Sequence, residues 1–455
     1  MSSSVATTGR HPALPPGPPQ RFPGQTLLGF TRDPLASLQE MAAYGDVSHF
    51  RVGRQLVYLA NHPDLVRDVL VTHGRRFAKG RGLERARVLL GNGLLTSEGD
   101  VHLRQRRLVQ PAFHRARLVG YAEVMSEVAR RHAGRWRDGE PVDVARAMTA
   151  LTLAIVGRTL FDADVEGEAH EIGEVLGAAL EHFNLLLPFS ELLEYLPLPA
   201  TLRFRRARRR LDATIYRLVE ERRASGADRG DLLSMLLAAR DDDGSAMSDE
   251  QLRDEAMTLF LAGHETTAVL LSWAWWLLAH HPDVERALHA EVDALAGPPT
   301  FADVERLPYA RMVVSETMRL YPPAYVLGRR ALEPYELGGW EIPARSIILT
   351  SQWLLHRDPR FWVEPLRFDP ERWRPGAAEG RPKFAYFPFG AGTRVCVGEH
   401  FAWTEAILVL ATLARRVRFT LTPASERAAP HAIVTLRPRH GIPMHVRLRA
   451  ASPHA

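Results

Sequence analysis

The sequence predicts a mainly α-helical domain with small β-sheets, an α+β arrangement, and three patterns carry that prediction. Between about residues 62 and 330, apolar side chains recur three and four apart, as at Leu65, Val69 and Leu70, which is the spacing of one helix face. Within that stretch a single helical pattern runs unbroken from Ser248 to about His280. Strand-like alternation is confined to short segments before residue 62 and after residue 330.

Taken in chain order, the first 14 residues are small and polar, and Pro15-Pro16-Gly17-Pro18-Pro19 follows, so residues 1–20 read as a flexible, Pro-rich N-terminus. Val47–Val52 and Leu56–Ala60 alternate as two strands joined at Gly53-Arg54. The long helix opens on Ser248-Asp249-Glu250-Gln251, a Ser-x-x-Gln capping box with acids in the first turn, and stops before Pro282. At 1.5 Å per residue it reaches about 45 Å, enough to cross a whole domain. Strand-like stretches near Glu336–Ile342 and Ser346–Ser351 then alternate with Pro and Gly turns. A last helix follows Gly398 to about Arg416, and strands near Ala432–Leu436 and Met444–Leu448 finish the chain. No internal repeat or interdomain linker interrupts this, so residues 21–455 read as one domain.

Composition narrows the function classes. With 46% hydrophobic and 24% charged residues the chain is ordinary globular protein, not a disordered or fibrous one. Its single cysteine excludes internal disulfides and multi-cysteine zinc or iron–sulfur sites. Positive charge is almost all arginine, the only lysines being Lys79 and Lys383. The basic run from Arg203 to Arg210 reads as the solvated face of a helix backed by Leu202, Leu211 and Ile215, not as a nucleic-acid patch. Residues Ala256 to Ala279 are long and apolar enough to span a bilayer, but His264-Glu265-Thr266-Thr267 sits at their centre. An acid at mid-bilayer costs about 2.5–3.5 kcal/mol, so a helix buried through a large domain is the better reading. The expectation is a cytoplasmic protein without a membrane anchor.

The cysteine lies in Phe389-Gly390-Ala391-Gly392-Thr393-Arg394-Val395-Cys396-Val397-Gly398. Three glycines let this backbone approach something flat or tight. The following helix N-terminus and the Arg394 cation both favour a thiolate. A dinucleotide loop is excluded because Val395 stands where the third glycine is needed and no clean strand precedes it. A small buried hydrophobe and a Cys-His nucleophile stay open on these residues alone.

The spacing Phe389-x-x-Gly392-x-Arg394-x-Cys396-x-Gly398, followed by Phe401-Ala402, resembles the haem-binding loop of the cytochrome P450 superfamily, in its soluble bacterial form. The likeness recurs along most of the chain in the family's order. It implies the family's fold, with the long helix crossing a b-type haem, and Cys396 as axial thiolate. Thiolate ligation favours O–O cleavage. Phe389, Gly390, Arg394 and Gly398 would then be cofactor-binding residues.

Three further motifs carry the resemblance. Glu316-Thr317-Met318-Arg319 places Glu316 and Arg319 on one helix face, and Phe368-Asp369-Pro370-Glu371-Arg372-Trp373 follows. By likeness, Glu316, Arg319 and Arg372 form a structural network that holds the haem-side loop. Ala262-Gly263-His264-Glu265-Thr266-Thr267 breaks several helix rules midway along the long helix. Its structural explanation is a kink with a hydroxyl bonded back to a carbonyl. The family explanation is oxygen activation, with Ala262 and Gly263 at the haem, Gly263 leaving room for dioxygen, and Glu265 and Thr266 relaying protons. The two haem propionates need cations. The resemblance points to Arg394, to Arg329 (or its neighbour Arg330), and to His102 and Arg106 as a His-x-x-x-Arg pair where many relatives carry tryptophan.

The same likeness implies a distal apolar pocket, with Leu94, Phe183, Phe260, Val326, Leu327 and Ile433 as candidate lining. It implies a terpenoid, fatty acyl, steroid or polyketide substrate in a setting of secondary metabolism. O₂ would be the co-substrate. The chain carries no flavin or iron–sulfur module, so electrons are expected from NAD(P)H through a separate ferredoxin and ferredoxin reductase, or a flavodoxin. Arg104 and Arg107 would steer that partner. The alternatives are a peroxide-using peroxygenase, a non-catalytic haem sensor and a cysteine hydrolase. The Glu265-Thr266 pair argues against the first two.

Overall fold

The computed structural model describes residues 14–22, 24–53, 55–163, 199–240 and 244–450. Helices of eight residues or more among them are α1 (Gln25–Arg32), α2 (Pro34–Ala42), α3 (Arg81–Leu90), α4 (Gly99–Val109), α5 (Arg115–Arg135), α6 (Val144–Leu160), α7 (Pro199–Ser225), α8 (Asp249–His280), α9 (Pro282–Asp293), α10 (Pro308–Leu320) and α11 (Glu399–Ala414). Strands are β1 (Val47–Val52), β2 (Gln55–Ala60), β3 (Phe77–Lys79), β4 (Pro141–Asp143), β5 (Leu327–Ala331), β6 (Tyr335–Leu337), β7 (Trp340–Ile342), β8 (Ile347–Thr350), β9 (Val417–Leu421), β10 (Pro430–Ala432), β11 (Leu436–Pro438) and β12 (Pro443–Leu448).

The long helix forms as its sequence requires. Ser248 accepts from the Gln251 N–H and the Gln251 side chain bonds back to the Ser248 N–H, closing both halves of the capping box. The C-terminal half of α8 is apolar all round. Leu270, Leu271, Trp273, Ala274 and Trp275 are all buried, as a helix threaded through a core must be. Helices α5, α6, α10 and α11 share one apolar cluster with it.

The sheets are small. One has the order β1-β2-β8-β5-β3, with only the β2–β8 pair parallel, and another has the order β4-β12-β9. Two hairpins, β6–β7 and β10–β11, stand apart. The expected first two strands are present, with β2 one residue longer. Others differ. The stretch read as one strand over Glu336–Ile342 is the β6–β7 hairpin, folded at Gly338-Gly339, both at positive φ (57° and 83°). Ala432–Leu436 likewise straddles the turn of β10–β11. The stretch from 62 to 330 also contains β3, β4 and the start of β5, too short to alternate visibly and held by pairing with distant strands. The last helix ends at Ala414, and β9 follows it.

The arginine run lies on α7 with Leu211 and Ile215 buried behind it, as expected, but Leu202 is half-exposed and Phe204 takes its place. Among the described residues no helix is long and apolar enough to cross a membrane.

One buried acid stands out where α11 meets α8. Glu405 is fully buried and burial raises it to about 8, while Thr267 on α8 offsets a small part. Neither of its oxygens has an aligned hydrogen-bond partner among the described residues. An acid raised in the folded state contributes stability that is complete below its unfolded value and is lost as pH rises through the folded one. Between about pH 4.5 and about pH 8 this one group should cost about 1.4 kcal/mol per pH unit. The neutral Glu405→Gln variant should therefore melt progressively above the parent protein across that window and match it below. Parallel melting curves at every pH would show that Glu405 stays ionised.

Candidate active site

The cysteine loop is shaped by close approach. Cys396 N donates to Phe389 O (3.0 Å), Val395 N to Gly392 O (3.1 Å) and Gly390 N to Phe387 O (3.0 Å). Gly392 sits at φ +70° directly against the carbonyl of Leu70, in a single π-turn at Asp68–Thr72, where a Cβ would collide. Gly398 is different. Its φ is −89° and a Cβ there would meet only Phe113 at 3.6 Å, so the backbone does not demand glycine at that position. Phe389 packs near Trp403, with ring centroids 5.9 Å apart.

Cys396 has accessible surface, yet burial pushes its thiol up to about 11. It therefore opens onto an internal space, not bulk solvent. The Gly398 N–H and Arg106 pull the thiol down only in part, and Glu399 works against them. The expected thiolate-favouring roles are thus corrected. The helix end is too weak, and Arg394 points elsewhere, to Glu98 Oε2 (2.6 Å) and Gly74 O (3.3 Å).

Beside the loop the fold gathers cations. Arg329 on β5 and His102 on α4 are both buried, and Lys79, the last residue of β3, joins them. Among the described residues the Arg329 side chain makes one hydrogen bond, to its neighbour Gly328 O (3.0 Å). Burial first, and then Arg394, lower it to about 10. His102 is lowered to about 4, by burial and then by Lys79. Among the described residues, His102 Nε2 and Arg394 Nε are buried without a partner. Arg106, one turn beyond His102, donates to Val395 O (2.8 Å) and so braces the cysteine loop itself. Of the two adjacent arginines Arg329 is the inward one, because Arg330 pairs with Glu84 at 2.7 Å near the surface.

Accessible surface reappears midway along α8, from Leu261 to Gly263 and at Glu265 and Thr266, greatest at Ala262, within an otherwise buried stretch. Thr266 Oγ1 donates to Ala262 O (2.9 Å), the i−4 back-bond open to a helical threonine. Gly263 faces the other way. A Cβ there would stand 3.0 Å from Val156 on α6, so this glycine lets two helices approach, while Ala262 is the more exposed small residue. Phe260 is likewise corrected. It lies two residues from Ala262, about 200° around the helix, and packs at 5.7 Å against Phe161 in the core.

The carboxylate of Glu265 is gripped from the β10–β11 hairpin. Arg437 binds both its oxygens through Nε and Nη2, and Thr435 Oγ1 donates at 2.7 Å. Burial would raise this acid, but Arg437 outweighs it and holds Glu265 below the usual carboxylate range. Neither partner was found from sequence, since nothing local links positions so far apart.

The Glu316–Arg319–Arg372 trio does come together. Arg319 Nε and Nη2 each lie 2.8 Å from a Glu316 oxygen, both residues are fully buried, and Arg372 Nε is 3.3 Å from Glu316. Sequence reasoning missed the rest of the network. Trp373 Nε1 donates to Glu316 (2.9 Å), and Arg319 donates to the carbonyls of His356 (2.7 Å), Pro365 (2.6 Å) and Arg367 (3.0 Å).

Of the pocket candidates, Phe183 lies outside the described residues. Leu94 is buried in the core, with its carbonyl turned to Lys79, and its neighbour Leu95 is the exposed one. Tyr325 OH donates to Ile433 O (2.9 Å), which ties the segment carrying Val326 and Leu327 to the hairpin carrying Ile433. Leu327 Cδ1 reaches within 3.5 Å of where a Gly390 side chain would stand.

These features fit a haem. A single soft thiolate donor opens onto an internal space. A buried cluster of cations with unpartnered N–H groups suits two anionic side arms. Comparison with known proteins agrees. Residues 15–442 match the family Cytochrome P450. The chain is 44% identical to cyclooctatin synthase of Streptomyces melanosporofaciens over 95% of each protein. It is 39% identical to cyclooctat-9-en-7-ol 5-monooxygenase of the same organism, covering 91% of this chain and 94% of the relative. The solved haem domain of cytochrome P450DA superposes with a TM-score of 0.86 at 30% identity, covering 97% of this chain and 99% of that one. With the lone cysteine as its only possible thiolate, this chain belongs to the cytochrome P450 family and is a haem-thiolate monooxygenase.

Proposed function

We propose that the enzyme inserts one oxygen atom from O₂ into a terpenoid-class hydrophobic small molecule, taking electrons from a separate acidic ferredoxin or flavodoxin. The observation that carries this reading is the open Ala262–Thr266 face of α8, with an ion-paired acid beside it, in a protein whose only thiol opens onto an internal space. The haem, when bound, supplies electron transfer and oxygen activation. Cys396 ligates it, and His102, Arg329 and Arg394 hold its anionic arms. Thr266 Oγ1 donates a hydrogen bond toward the open face once it leaves Ala262 O. Glu265 carries a proton inward only when it loosens from Arg437, because that pair keeps it ionised. Val326, Leu327 and Ile433, joined through the Tyr325–Ile433 hydrogen bond, are the apolar residues assigned to the substrate side. Two relatives are named for cyclooctatin and for oxidising an alkenol, cyclooctat-9-en-7-ol, at carbon 5. A cyclic terpenoid alcohol or hydrocarbon is therefore the first substrate to try.

Displacement of water from the ferric haem by such compounds, read as a shift of the haem spectrum, tests the substrate class. Fatty acids that shift it more strongly than cyclic terpenoids would overturn that choice. With a substrate in hand, Thr266→Ala should keep the binding shift but convert electrons to product about tenfold or more less efficiently, and Glu265→Gln should slow turnover by about 10²-fold. Unaltered coupling in both variants would remove α8 from proton delivery. Reversing Arg104 and Arg107 on α4 to glutamate should slow ferredoxin-driven reduction by about tenfold at low ionic strength and abolish its salt dependence. Salt-dependent reduction at the parent rate would place the electron donor elsewhere.

A further inference from the structure

The cation cluster contains a lysine whose position the propionate reading leaves unexplained. Lys79 is buried, and its Nζ lies 2.8 Å from Leu94 O, 2.6 Å from Ser97 O and 3.4 Å from His102 Nδ1. Those are three acceptor positions for the three N–H bonds of an ammonium group. His102 Nδ1 also lies 3.2 Å from Leu94 O. The ring thus has a partner in either tautomer. It accepts at Nδ1 from Lys79 with the proton on Nε2, or donates from Nδ1 to Leu94 O with Nε2 bare. The opposite nitrogen, Nε2, is buried and unpartnered.

We propose that Lys79 is a positioning residue that locks His102 as an Nε2–H donor toward a haem propionate, and that loss of the Lys79 proton releases this lock. The inference rests on the propionate role of His102 given above. The proton count is simple. As an ammonium, Lys79 fills Leu94 O, Ser97 O and His102 Nδ1, so the neutral ring carries its only hydrogen on Nε2 and donates to the anion. As an amine, Lys79 keeps two N–H bonds for the two carbonyls and directs a lone pair at the ring. Nδ1 then takes the hydrogen, and Nε2 presents its own lone pair to the carboxylate.

The surroundings place that change near neutrality. Burial lowers Lys79 to about 7; Glu98 pulls it up, and Arg394, Arg329 and Arg87 push it down. Burial and Lys79 keep the His102 ring neutral, near about 4. Glu255 on α8 faces the same cluster, accepts from Leu94 N (3.0 Å) and is raised by burial to about 7, so it is the one other group in range. Of the two Glu98 oxygens, one takes Lys79 N–H and the other takes Arg394 (2.6 Å), which leaves neither for Lys79 Nζ. A cleft of about 510 Å³ lined by Arg87, Thr96, Glu98, Arg330 and Arg394 lies on the Glu98 and Arg394 side of the cluster.

Binding a propionate raises the Lys79 pKa, so haem should be held best on the acid side and less well as pH rises. The measurement is transfer of haem from the holoenzyme to excess apomyoglobin across about pH 6 to about pH 9. Lys79→Met should release haem about tenfold faster than the parent near pH 6, and the two rates should converge near pH 9. His102→Gln, whose amide donates irrespective of any tautomer, should lose the pH break, whatever its own basal rate of haem release. Glu255→Gln should keep the break. A break that persists in His102→Gln would mean Lys79 acts as a bare charge, and one that vanishes in Glu255→Gln would assign it to the acid; either result overturns the proposal. The parent and His102→Gln proteins decide the matter even if Lys79→Met fails to fold. An unchanged reduced carbon-monoxide spectrum in each variant separates failure of this inference from failure of the haem-thiolate reading.

Discussion

A carboxylate and a guanidinium with no access to water, Glu316 and Arg319, set the geometry on which the cysteine depends. Removing two such charges from solvent is costly, and their attraction repays it only with further hydrogen bonds. The protein supplies those from one direction. The chain between His356 and Trp373 presents three carbonyls to Arg319 and an indole, a backbone N–H (Asp369, 3.0 Å) and Arg372 to Glu316. His356 passes the constraint on, since its Nε2 accepts from Phe387 N (3.0 Å), two residues before the loop of Cys396 begins. A segment with little regular structure is thereby fixed by satisfying a pair of charges on α10, and losing either partner would strand the other, at about 3–5 kcal/mol.

Much of this was legible where the cause is local. The capping box at Ser248, the cysteine loop and the Glu-x-x-Arg helix all use short spacings, and the structure forms each of them. What escaped is non-local. Glu265 and Arg437 are 172 positions apart, and Lys79 and His102 meet only because β3 and α4 converge there. Strands of three residues cannot show a period of two, so β3 and β4 were invisible.

Phase errors on α8 have the same physical origin. The motif Ala262-Gly263 looks like one small-residue gap, yet consecutive helical residues point about 100° apart. The structure separates their tasks: Gly263 admits Val156 from α6, and Ala262 keeps the open face low. The resemblance places Phe260 at the pocket, and the helix turns it into the core.

The electrostatics of the site point to one kind of occupant. Protein surroundings push the Cys396 thiol up, and pull Lys79, Arg329 and His102 down, so every one of these groups is displaced toward its neutral form. Desolvation is the leading cause each time, and no side chain nearby corrects all four. A group with a metal cation at its centre and two carboxylates at its edge would answer them together: the cation would deprotonate the thiol, and the carboxylates would restore charge to Lys79 and Arg329 and accept from the neutral His102 ring. Glu265 marks the boundary of this logic. Arg437 already compensates its burial from the hairpin that carries Ile433, so the acid proposed to move a proton is held by the protein, not the cofactor. Its release is therefore linked to whatever displaces that hairpin.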